Sequence, residues 1–150
     1  MTEKIMQIED IIPHRGRMKL VDEIIEVSED TAITASYPND LWPLVSGSSL
    51  NALIAVELVA QTAAVNIGMK RRKETGEGRG RGWIVGIKNA EFYVNDIGLN
   101  SRLITKASIL YSQEAYSVIE GSVSAEGKLI GTVSLQVFRE EFGAENQAKP

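Results

Sequence analysis

The stretch from Leu50 to Gly68, "LNALIAVELVAQTAAVNIG", is apolar almost all the way round, yet it carries a carboxylate, Glu57, and an amide, Gln61, one helical turn further on. At i and i+4 the two share a helix face, so the amide can orient the carboxylate or a bound water. A carboxylate buried among apolar neighbours has its charged form disfavoured by desolvation, which lets it exchange protons near neutral pH. General acid or base chemistry is the functional reading of Glu57; pairing with an arginine, or a place at a subunit rim, is the structural one. For Gln61 the structural alternative is a polar contact to neighbouring backbone. His14 is the only histidine in the chain. It is either a second proton-transfer group or a structural, hydrogen-bonding residue.

The segment "VSGSS" precedes the apolar run, and a helix beginning at Ser48 or Ser49 would leave the N–H groups of Gly47, Ser48 and Ser49 free to polarise a carbonyl. Asp40, beside Asn39, is a further carboxylate, although an Asx residue in a proline-containing loop commonly forms a turn. Arg71, Arg72, Arg79 and Arg81 could meet an anionic group, or stand as solvated charges at a helix end and in a loop. "GEGRGRG" has the glycines of a phosphate loop but follows a helix and lacks the Gly-Lys-Ser/Thr ending, so that reading is discarded.

These residues must be positioned by a small number of elements. "MQIEDIIPH" allows one short helical turn that stops near Ile12, ahead of Pro13. Met18 to Val27 and "TAITASY" read as two strands forming a hairpin. "PNDLWPLVSGSS" is a loop. The helix is expected from Ser48 or Ser49 to about Arg72, closed by the basic run Lys70 to Lys73 and the glycines beyond. "WIVGIKNAEFYV", "RLITKASILY", "YSVIEGSVSA" and "LIGTVSLQVF" read as four further strands in an antiparallel meander. A helix apolar on nearly every face cannot lie on a flat sheet with its other flank in water; it must be wrapped, or covered by a second subunit, and an α+β fold in which a strongly curved antiparallel sheet wraps one long central helix satisfies this. One domain over residues 1–140 and a disordered tail over 141–150 complete the outline.

Composition narrows the function. A net charge of −4 speaks against a nucleic-acid partner. The absence of cysteine removes thiolate chemistry, and a single histidine removes a multi-histidine metal centre within one chain, so neither metal nor cofactor is expected. The apolar run is interrupted by Asn51, Glu57, Gln61, Thr62 and Asn66, which rejects a membrane span. The N-terminus has no secretory pattern, and a cytoplasmic location is expected.

The element order, together with "IIPHRGRMKLVDEI" and "IAVELVAQTAAVNIG", resembles the hotdog-fold 3-hydroxyacyl-acyl-carrier-protein dehydratases. Their Leu-Pro-His-Arg and Leu-Val-Asp pattern is present as Ile12-Pro13-His14-Arg15 and Leu20-Val21-Asp22. Their Glu-x-x-Ala-Gln motif is present as Glu57-Leu58-Val59-Ala60-Gln61. The similarity covers roughly Ile8 to Phe138 and is closer to a divergent branch that includes members of aryl-polyene biosynthesis clusters. The resemblance implies a hotdog fold, an acyl thioester substrate on an acyl carrier protein or coenzyme A, and a homodimer or higher oligomer. It also implies Glu57 as general acid/base, supported by Gln61. Trp42, with Trp83, Phe92, Tyr93 and Phe138, would line an acyl tunnel or pack the core. The family places a catalytic histidine in a His-Phe-Pro-Gly segment before the helix; here that region is "YPNDLWPLVSG", without histidine. Dehydration in fatty-acid or polyene synthesis is the leading function implied. A thioesterase using the same helix carboxylate, or a non-catalytic acyl-binding or partner subunit, are the alternatives.

Overall fold

Strand alternation and one apolar helix are resolved into a single wrapped arrangement in the computed structural model, which describes residues 7–76 and 82–139. The N-terminal segment makes 3-10 turns at Ile8–Asp10 and Gly16–Met18. Strands β1 (Glu23–Val27) and β2 (Thr31–Ser36) form the expected hairpin. The first strand is shorter than its Val/Ile/Leu content suggested. Leu20 and Val21 are fully buried but precede the strand, and the Leu20 N–H goes to the Gln61 side chain on the helix instead of to a neighbouring strand.

The loop after β2 contains a small hairpin, β3 (Val45–Ser46) and β4 (Ser49–Asn51), turning at Gly47 with φ +62°. The central helix α1 therefore starts at Ile54, not at Ser48 or Ser49, and runs to Thr75. The backbone of Ser49–Asn51 is committed to the ladder with β6 (Asp96–Gly98), a three-residue strand too short to show a period in the sequence. Asn51 then serves the helix start, its Oδ1 accepting the Leu53 N–H at 2.9 Å. At the other end Gly76, φ +83°, caps the helix with its N–H on Arg72 O.

The remaining strands are β5 (Gly82–Phe92), β7 (Leu103–Gln113), β8 (Tyr116–Ala125) and β9 (Lys128–Arg139). The large sheet has the order β1-β2-β7-β8-β9-β5. The meander expected from the sequence holds for β7-β8-β9. The strand β5 departs from it, crossing to the far edge to pair with β9, while β2 takes the place beside β7. Alternate residues of the inner strands, Leu103, Thr105 and Ala107 on β7, Ile119, Gly121 and Val123 on β8, and Val133, Leu135 and Val137 on β9, turn toward the helix and are buried.

Both flanks of α1 are thus covered. One presses into the sheet through Ala55, Leu58, Val59 and Ala63; the other meets Ile8, Ile11, Ile12 and Val21 through Val65. At Gly121 the sheet approaches so closely that a Cβ would stand 2.6 Å from a methyl of Val59 and 2.8 Å from the Lys106 carbonyl oxygen, which explains glycine in mid-strand. The polar residues on this helix act as clamps. Thr62 and Thr34 join hydroxyls at 2.8 Å, and Asn66 donates to Ser28 O at 2.8 Å and Thr31 O at 3.3 Å. The segment 141–150, expected as a tail, lies outside the described residues. No helix among the described residues is long and apolar enough to cross a membrane.

Candidate active site

The site is built where the N-terminal segment crosses the first turns of α1. Pro13 ends the first turn and leaves His14 extended beside the helix. Arg15 fixes that stretch by donating to the carbonyl oxygens of Ile12 at 2.8 Å, His14 at 2.7 Å and Glu9 at 2.6 Å. Lys19 closes the loop on Glu9 at 2.6 Å, and this contact holds the Glu9 carboxyl below its ordinary range. The result is that the "IPHR" run presents its imidazole to α1.

Gln61 is fully buried and uses three hydrogen-bonding directions. Its Oε1 accepts the Leu20 N–H at 2.9 Å, while its Nε2 donates to Met18 O and, at 3.0 Å, to Glu57 Oε1. The two readings of Gln61 are therefore both present in one residue: it ties down neighbouring backbone and it orients the carboxylate. His14 Nε2 lies 3.5 Å from the same Glu57 oxygen. Side-chain exposures of 25% for His14 and 27% for Glu57 show that the pair is not sealed from solvent, as full burial in an apolar helix would have required. Burial pushes the His14 pKa below its ordinary value of 6.5, with Arg15 acting in the same direction and the Glu57 charge partly opposing them. Burial and Arg15 together favour the neutral imidazole. Its Nδ1 is enclosed without a hydrogen-bond partner among the described residues.

Both side chains open into a cavity of about 310 Å³. Along α1 it is lined by Glu57, Ala60, Ala64, Ile67, Gly68 and Arg71, residues at helical spacing, and from the sheet by Trp83, Ile84, Ile119, Val137 and Arg139. The small residues leave room between helix and sheet. Their spacing, with the arginine closing it, was a signal present in the sequence. Arg139 carried no such signal, since only strand pairing brings the end of β9 to the cavity wall.

Other candidates stand elsewhere. Gly47, Ser48 and Ser49 belong to the β3–β4 hairpin and do not line the cavity; without the helix start they were assigned, they offer no helix N-terminus, and Ser48 O accepts the Leu99 N–H. Trp42 is buried in the main core, away from the cavity. Of the aromatic residues considered for a tunnel, Trp83 alone lines this one. Asp40 is exposed and does not line the cavity, and its neighbour Asn39 makes an Asx turn, its Oδ1 accepting the Leu41 N–H at 2.8 Å. Asp22, from the "LVD" run, receives the Tyr37 N–H at 2.8 Å and so secures the end of β2. Arg79 and Arg81 lie outside the described residues.

A family model described as ApeP-like, ApeP dehydratase, matches residues 6–148. The 3-hydroxyacyl-[acyl-carrier-protein] dehydratase FabZ of Streptococcus pneumoniae (strain CGSP14) is 26% identical over 130 residues, covering 83% of this chain and 89% of that protein. Among solved structures, the dehydratase heterocomplex ApeI:P from Xenorhabdus doucetiae superposes with a TM-score of 0.82 at 23% identity, covering 96% of this chain and 97% of the other. A hypothetical thioesterase with coenzyme A from Streptococcus pneumoniae TIGR4 shares the fold more distantly, with a TM-score of 0.59 at 10% identity over 79% of this chain and 84% of that one.

Proposed function

The chain belongs to the ApeP-like dehydratase family, and from that premise we propose that it eliminates water from a 3-hydroxyacyl thioester, with Glu57 and His14 as the proton-transfer pair. The observation that carries the proposal is the 3.5 Å contact of these two groups at the wall of an otherwise largely apolar cavity. In the reaction the bond from the α-carbon to hydrogen and the bond from the β-carbon to the hydroxyl both break, a carbon–carbon double bond forms, and water leaves. The neutral imidazole accepts the α-proton at Nε2. The proton passes across the contact to the Glu57 carboxylate, which delivers it to the departing hydroxyl and is left as it began, with the imidazole neutral again. Gln61 holds the carboxylate in place throughout. Proximity substitutes His14 for the histidine that the loop before the helix lacks.

A second subunit completes this reading. Among the described residues, the strand β5 is an edge of the large sheet and exposes Trp83, Ile84, Val85 and Ile87, an arrangement suited to pairing with another chain of the same fold. Because Trp83 and Ile84 also line the cavity, such pairing would cover its open side. The N–H groups of Gly47 and Ser48, which do not line the cavity of their own chain, could hold a thioester carbonyl only at a site formed with a partner. The assembly of the structurally similar ApeI:P as a heterocomplex supports considering a related, non-identical chain as that partner.

Incubation with 3-hydroxyacyl thioesters on acyl carrier protein and on coenzyme A, beside the Glu57→Gln variant, tests the proposal. Formation of the enoyl thioester that is lost in the variant is the expected result. Release of free thiol would indicate hydrolysis instead, and inactivity relieved only by a second subunit would indicate a partner role.

A further inference from the structure

One ring nitrogen of His14, Nε2, faces Glu57 at 3.5 Å, while the other, Nδ1, is enclosed without a hydrogen-bond partner among the described residues. In a histidine base the Nδ1 partner ordinarily fixes the tautomer and the angle of the ring. Here the ring inherits its place from the backbone that carries it. That backbone is gripped by Arg15, whose Nη1 donates to the carbonyl oxygens of Ile12 at 2.8 Å and of His14 itself at 2.7 Å, and whose Nη2 donates to that of Glu9 at 2.6 Å. One planar guanidinium thus spans carbonyls on either side of Pro13, a geometry that a point-charge ammonium does not reproduce. Gly16, at φ +58°, turns the chain directly after the arginine, and Lys19 Nζ meets the Glu9 carboxylate at 2.6 Å. Both closures of the segment end on Glu9, one on its carbonyl and one on its carboxylate. Arg15 does not line the cavity.

We propose that Arg15 is a positioning residue for the proton transfer: by gripping the carbonyls around Pro13 it sets where the His14 ring stands against Glu57, without touching substrate. Its part in turnover rests on the dehydratase reading; its part in placing the ring does not. The guanidinium also favours the neutral imidazole by its charge, and Glu57 from α1 opposes it. Grip and charge are separable, because lysine keeps the charge and loses the fork.

Two readouts on the whole chain test this. The first, without turnover, is NMR titration of His14 in the parent, Glu57→Gln, Arg15→Lys and the double variant. In the parent background Glu57→Gln should lower the midpoint. In the Arg15→Lys background the same substitution should move it little, because a ring no longer held stands farther from the carboxylate and feels its charge less. The second is turnover of a 3-hydroxyacyl thioester. Arg15→Lys and Arg15→Ala should each lose about 10²-fold in kcat, the scale of a misplaced reacting group, with KM near the parent value. Added guanidinium ion should restore part of the Arg15→Ala loss and leave Arg15→Lys as it is; if Arg15→Ala does not fold, Arg15→Lys carries both readouts. A Glu57-dependent shift of full size in Arg15→Lys, or losses that fall on KM alone, would overturn the proposal. A parent chain that forms no enoyl thioester, yet loses the Glu57-dependent shift in Arg15→Lys, would end the dehydratase reading and leave the positioning of the ring standing.

Discussion

His14 Nε2 lies 3.5 Å from Glu57 Oε1, joining an extended N-terminal segment to the first third of the central helix. Each residue is held by a neighbour in its own segment. Arg15 fixes the one by wrapping the backbone around it, and Gln61 fixes the other from the next helical turn. The pair is thus a product of tertiary packing, and its properties are open to measurement.

As the only histidine, His14 gives a single imidazole titration by NMR. Its midpoint is expected below 6.5, because burial disfavours the charged ring. Glu57→Gln removes the charge that opposes this shift and should lower the midpoint further; an upward move would show that the two groups do not interact. With the folded value below the unfolded one, the unfolded chain takes up the proton first. Stability is therefore expected to decline as pH falls from about 6.5 to the folded midpoint, and to be insensitive to this group above that window.

Glu57→Gln and His14→Asn should each reduce the rate of enoyl thioester formation by about 10²- to 10⁴-fold, the range for loss of a general acid or base. The double variant should be little worse than either single one if the residues act as a unit. Additive losses would assign them independent roles.

Gln61→Leu preserves most of the volume but strands the Leu20 N–H and the Met18 carbonyl in a buried setting. A loss of about 2–4 kcal/mol in urea unfolding is expected from two unsatisfied backbone groups. A neutral result would mean that the N-terminal segment does not dock through this side chain.

Gly121→Ala drives a Cβ against Val59 and the Lys106 carbonyl and should cost about 1–3 kcal/mol by overpacking. Val59→Ala removes the methyls involved, so the double variant should be more stable than the sum of the two single effects predicts, short of full relief because the carbonyl contact remains. Strict additivity in thermal unfolding would place the strain elsewhere.

Ile87→Glu puts a charge on the exposed β5 edge, at a residue that does not line the cavity. Light scattering should show a lower association state than the parent chain, since charge on an edge strand opposes pairing. Turnover should fall with it if the site is completed across that edge; an unchanged mass would exclude β5 as the interface.

The fold was legible because its signals are local and periodic. Alternation marks β2, β7, β8 and β9, and an apolar helix without a polar face demands a sheet that curves round it. The motif pairs "IPHR" with "LVD" and "ELVAQ" marked the dehydratase family, whose model matches residues 6–148. The start of the helix differs from the one the serines suggest, because serines suited to a cap are equally at home in a hairpin. Pairing with β6, a strand too short to announce itself, decided between the two.

What the residues determined by themselves was the inventory: one acid and one amide at i and i+4, one histidine after a proline, a helix that had to be enclosed. Tertiary structure alone decided which of these meet. It brought His14 to Glu57, sent Gly47 to Ser49 and Trp42 away from the cavity, and carried β5 to the far edge, where it pairs with β9 and lends Trp83 and Ile84 to the cavity wall. The reason is physical. Backbone periodicity depends on neighbours a few residues away, whereas contacts between distant segments depend on register and crossover, which are fixed only when the whole apolar surface is buried together.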